Sequence, residues 1–140
     1  MHDEHDHAAC VDAWWTRHAR AGEPAASLRA LERGFRLVWT RAQVTLGDVT
    51  LMAIGERVLH DVAEEYPPLA ALRIEPTGIS CEDIEQDVAS LEPADLDRAL
   101  RRVLVELLVV LGRLTGEVLT PVLHAELSGS SRVVDEESAP

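Results

Sequence analysis

Residues 94–127 form an apolar-periodic run whose leucines and valines fall on two faces of a helix instead of one. As a straight helix it would be roughly 50 Å long at 1.5 Å per residue. One seam steps three and four residues at a time through Leu96, Leu100, Val103, Leu107, Val110 and Leu114, and a second runs through Leu104, Leu108, Leu111, Val118 and Val122. A surface helix of a globular protein buries a single stripe. A helix with two either sits at the middle of a bundle or buries one face in its own subunit and the other against a partner. We therefore expect an all-α fold, a helical bundle of four to five helices with a long two-faced C-terminal helix. The second alternative makes the protein a homodimer with its interface at Leu104, Leu108, Leu111, Gly112, Gly116 and Val118. The glycines belong to this set because residues four apart share a helix face. Each costs a helix interior about 1 kcal/mol relative to alanine, most simply explained by a second backbone passing close by. Pro121 predicts a kink between 117 and 121.

A chain of 140 residues fits one domain and buries a core without metal or disulfide staples. We expect a single helical domain over 8–128 between two disordered ends, a His/acidic tail at 1–7 and an acidic tail at 129–140. A first helix over about 8–21 has Val11, Trp14, Trp15 and His18 on one side and stops at Gly22. A second opens at Pro24 with its seam at Leu28, Leu31, Phe35, Val38 and Ala42. The same step continues through Thr45, Val49 and Met52, so one helix could reach residue 66. Gly47 and the capping-box-like Thr45-x-x-Asp48 instead predict a break near 45–48. The third helix presents Leu51, Ile54, Val58, Leu59 and Val62 and is stopped by Pro67-Pro68. Glu75-Pro76-Thr77-Gly78 fits a type I turn joining a hairpin of Leu72–Ile74 with Ile79–Cys81, too small to be stable alone. Ser80-x-x-Asp83 starts a short acidic helix to about Ser90, and Glu92-Pro93 opens the last helix. Trp14, Trp15 and Trp39 read as core and interface anchors.

A net charge of −12 argues against a nucleic-acid partner, since phosphate binding needs a basic surface. The most apolar stretch, Val103 to Leu119, is interrupted by Glu106, Arg113 and Glu117, which makes it a core helix and not a membrane span. The N-terminal MHDEHDH has neither the basic nor the apolar region of a secretory signal. Cys10 and Cys81 make no disulfide framework, so a cytoplasmic protein with reduced thiols is expected. Charge is segregated: residues 8–46 carry six Arg against three acids, and 47–97 carry thirteen acids against Arg57 and Arg73. The two segments either face each other or are solvated separately. All thirteen basic residues are Arg. The absence of Lys excludes a Walker A loop, Schiff-base chemistry, a pyridoxal phosphate anchor and a kinase lysine.

Three groupings could carry chemistry. His2, His5 and His7, interleaved with Asp3, Glu4 and Asp6, have the ligand capacity for a weak transition-metal site. The run Glu56 to Ala63 resembles the phosphoacceptor box of some histidine kinases, whose pattern contains Arg-x-x-x-His-Asp. The resemblance implies His60 as the phosphoacceptor; here Arg57 stands three residues before it, and fewer than ten residues are covered. Cys81, just after Ser80, lies where a helix N-terminus would lower a thiol pKa. The Glu-x-x-His pairs of di-iron bundles are missing from the core helices, and no Gly-x-Ser-x-Gly elbow exists. A single axial haem ligand among His18, His60 or His124 would leave no sequence signature, and the sequence calls for no cofactor. The expectation is a non-catalytic signalling or regulatory interaction module that binds a protein or a second copy of itself. The alternatives are a histidine phosphotransfer bundle using His60, or a metal-binding helical protein.

Overall fold

The computed structural model describes residues 4–19, 23–81, 84 and 91–128, without the side chains of residues 4, 5 and 24. The chain runs α1 (Glu4–His18), α2 (Pro24–Leu46), α3 (Asp48–Glu65), a 3-10 turn (Pro67–Ala71), β1 (Arg73–Glu75), β2 (Gly78–Ser80) and α4 (Pro93–Leu114). A further helix, α5, covers 120–128. The expected acidic helix to Ser90, the stop at Gly22 and the 129–140 tail lie outside the described residues.

The two-faced run is the central element of an all-α bundle. α4 packs against α1, α2 and α3, and Leu100, Val103 and Leu107 of one seam are as fully buried as Leu104, Leu108 and Leu111 of the other. This places Leu104, Leu108 and Leu111, expected at a homodimer interface, in the core of one chain. They have no surface left for a partner.

The run is also two helices, not one. Glu117 N–H donates to the Gly112 carbonyl at 2.7 Å and Gly116 N–H to that of Arg113 at 3.3 Å. This paired closure with a left-handed residue ends a helix, and Gly116 supplies that residue at φ +60°. Gly116 is therefore a helix stop instead of a crossing point, and Val118, 74 % exposed, lies in the turn beyond it. The Thr115 hydroxyl donates to the Leu111 carbonyl and accepts from Leu119 N–H. Pro121 then falls in the first turn of α5, where a missing N–H does no harm.

Helix directions follow from single contacts. The Ser27 hydroxyl donates to Asp97 Oδ1 at 2.7 Å, and Gly34 lies beside Leu104, so α2 and α4 run the same way. Asp12 pairs with Arg101 near the start of α4 while His7 lies near Glu117 at its far end, so α1 runs oppositely. The break expected near 45–48 is present. Gly47, at φ +81° and ψ 168°, separates α2 from α3, and caps α3 in place of the expected Thr45. Residues 39 and 55 of one unbroken helix would stand about 24 Å apart. A Cβ on Gly55 would instead lie 2.9 Å from the Trp39 ring, so α3 folds back along α2.

Tryptophans set the spacing. The Trp14 indole occupies the space a Cβ on Gly34 would need, and Trp39 does the same at Gly55. Trp14 Nε1–H donates to the Ala30 carbonyl and Trp39 Nε1–H to that of Pro76. The second bond, with Cys81 N–H donating to Glu32 Oε2 at 3.2 Å, fastens the hairpin to α2. The hairpin pairs Arg73 with Ser80, Ile74 with Ile79 and Glu75 with Gly78. Two strands too short to stand alone persist because Leu72, Ile79 and Cys81 are buried in the helical core.

The N-terminus departs from expectation. Residues 4–7, read as part of a disordered tail, belong to α1, and His7 is 2 % exposed.

Gly55→Ala tests the tryptophan seat. Alanine gains helix propensity of about 1 kcal/mol but forces the Trp39 ring out of place, and such overpacking costs roughly 1–3 kcal/mol. The expected outcome is a lower urea midpoint than wild type; a higher one would mean the ring has room.

Candidate functional site

Arg29, Arg33 and Arg36 recur at helical spacing on α2 and so share one face. They line a cleft of about 830 Å³ with Glu23, Ala26, Glu32, Leu37 and Thr40 of the same segment. His18 of α1 and Glu126 of α5 close it from across the bundle, and Arg17 ties those elements together by donating to the Leu127 carbonyl at 3.1 Å. The three arginines are exposed. The ion pairs among the described residues join other side chains: Arg57–Asp61, Arg98–Asp95, Arg101–Asp12, Arg102–Glu106, His60–Glu64 and His7–Glu117. The basic and acidic segments thus do not neutralise each other by direct pairing among the described residues. Glu32 is committed to Cys81 N–H.

His18 defines the floor of this cleft. Its ring stacks on Trp14 at a centroid distance of 3.7 Å, and its Nε2 is buried without a hydrogen-bond partner. Burial, then the positive fields of Arg33 and Arg17, hold its pKa below 6.5. The ring is accordingly neutral at pH 7, chiefly through burial, and it sits among Arg29, Arg33 and Arg36 on one side and Glu23, Glu32 and Glu126 on the other. An uncapped α2 N-terminus, with no side-chain bond from Glu23, adds the positive end of a helix dipole nearby.

His60 is solvent-facing on α3, as a phosphoacceptor must be, with Nε2 3.3 Å from Glu64 Oε1. It borders a shallower cleft of about 460 Å³ with Glu56, Leu69, Leu72 and Arg73. Its ligand atom, with those of Asp61 and Glu64, falls within a 4.8 Å group. Carboxylates therefore surround it, and Arg57 is already paired with Asp61. Of the metal-ligand candidates, His2 and the His5 side chain lie outside the described residues, whereas His7 is turned inward against His124. Cys81 is the reverse of an activated thiol: burial, and secondly Glu32, push its pKa up to about 12. Burial also raises Cys10.

The arginine face was missed because charge was summed by segment; the 29-33-36 spacing was its available signal. Compared with protein-family models, characterised proteins and solved structures, the chain matches none. Among the described residues no helix is long and apolar enough to cross a membrane.

Incubation with a phosphorylated response regulator or a small phosphodonor should give no acid-labile adduct dependent on His60. The repulsion of an anionic donor by Glu56, Asp61 and Glu64 is the reason. An adduct that disappears in His60→Gln would promote the phosphotransfer reading.

Proposed function

We propose that this protein is a non-catalytic helical module of a signalling or regulatory kind, which works by binding an anionic group in the α2 cleft. The observation that carries the reading is the Arg29, Arg33 and Arg36 face, which lines a cleft with no ion-pair partner among the described residues. Guanidinium groups hold carboxylates and phosphates through paired, charge-assisted hydrogen bonds. His18 Nε2, desolvated and unpartnered, supplies one more polar contact below them. Such a buried orphan atom is costly unless something completes it. The partner is a small molecule or protein segment bearing phosphate or carboxylate groups. Two cysteines kept as free thiols support a cytoplasmic setting, and the burial that raises both their pKa values makes them poor nucleophiles. Any protein partner docks away from the enclosed α4 seam.

Titration calorimetry with pyrophosphate, citrate and a phosphorylated acidic peptide tests the proposal and separates the sources of charge. One class should bind with an affinity that falls as salt rises, and Arg33→Ala should weaken it about tenfold or more, the scale of a lost charged hydrogen bond. His18 gives a second readout. Since its folded pKa lies below the ordinary 6.5, the unfolded chain takes up the proton first as pH falls. Stability is thus intact above about pH 6.5 and declines on acidification. The decline should be shallower in His18→Gln, and bound anion should move the His18 NMR titration upward by offsetting Arg33. No binding by any probe, or binding indifferent to Arg33, would contradict the reading.

A further inference from the structure

His7 and His124, 117 residues apart in sequence, meet inside the bundle where α1 begins and α5 passes. His7 Nδ1 lies 2.9 Å from His124 Nε2, with the rings edge to face at 87°. On the other side of His7, Nε2 is 4.0 Å from Glu117 Oε1, and that oxygen also accepts the Thr120 hydroxyl at 2.7 Å. The placement of Glu117 is unusual. Its backbone is left-handed at φ 67°, a conformation costly for a residue with a Cβ. Its carboxylate fills the space that a side chain on Gly112 would occupy, an oxygen lying 2.8 Å from where that Cβ would be. A strained residue, a helix glycine and a buried threonine thus combine to aim one carboxylate at a buried imidazole.

We propose that His7 Nδ1 and His124 Nε2 are two ligands of a late first-row divalent cation, of which Zn²⁺ is the test case, with Glu117 orienting His7 from behind. A ligating histidine characteristically offers its other ring nitrogen to a carboxylate, which fixes the tautomer and raises ligand basicity. Glu117 stands where it favours a proton on His7 Nε2, leaving the Nδ1 lone pair toward His124. With metal–nitrogen bonds of about 2.0–2.1 Å, the observed 2.9 Å nitrogen separation subtends an angle of about 90°, the cis angle of square or octahedral coordination; the tetrahedral shell usual for Zn²⁺ requires the two nitrogens to part by about 0.4 Å. Without the ion the same geometry makes one imidazole donate to the other; with it, His124 carries its proton on Nδ1. The site is independent of the anion cleft, which uses neither residue.

The test is calorimetric titration of the full chain with Zn²⁺, repeated with Co²⁺ for its visible spectrum. We expect one site per chain, lost in His124→Ala, retained in His60→Ala and weakened about 10- to 100-fold in Glu117→Gln, the usual effect of removing such a carboxylate. Circular dichroism checks that His124→Ala remains helical. If it does not, ¹⁵N imidazole spectra of the wild type decide, because Zn²⁺ must shift both His7 and His124. No binding, binding that survives in folded His124→Ala, or binding lost in His60→Ala would overturn the proposal, as would unshifted His7 and His124 resonances.

Discussion

Burial of α4 on two sides is the constraint on which the rest of this structure depends. Its core residues, from Leu96 to Gly112, need three neighbouring helices to cover them, and the chain supplies α1, α2 and α3. Fully burying one leucine or valine side chain is worth about 1.5–3 kcal/mol, so leaving either seam exposed would forfeit several such contributions. α1 must therefore pack along its whole length, which carries His7 inside. α2 and α3 must fold back on each other, hence the break at Gly47. The two tryptophan seats at Gly34 and Gly55 let these helices approach closely enough to enclose α4.

Both candidate sites are consequences of that enclosure. The cleft exists because α2 turns its apolar stripe to α4 and leaves its arginine face outward, while the ends of α1 and α5 stand opposite. Trp14 buries its indole at Gly34 and presents a face to His18, which becomes desolvated but uncharged. At the other end of α1, the helix stop at Gly116 places Glu117 between Gly112 and Thr120, where it confronts His7. The strain at Glu117 is tolerated because the surrounding packing over-determines it.

Which parts were legible depended on sequence distance. The seams of α2, α3 and α4 were readable because their 3-4 spacing is local, and the Gly47 break because a glycine interrupts good helix formers. Whether the second α4 seam met a partner chain or its own was not, since the answer lay in α1, whose apolar pattern is mixed with His and Asp. Gly112 and Gly116 looked alike at four-residue spacing yet serve different ends. The later Pro121 was the clue that Gly116 ends a helix. His7 sat in a tract of acids that reads as solvated, and nothing local points to a partner more than a hundred residues away.

The central claim, that both faces of α4 are covered within one chain, is tested most directly by native-state amide hydrogen exchange at two widely separated protein concentrations. The account predicts that amides around Leu104, Leu108 and Leu111 exchange only by global unfolding, with equal protection at both concentrations. Protection in this segment that rises with concentration would show that a second chain completes the core, and would contradict it.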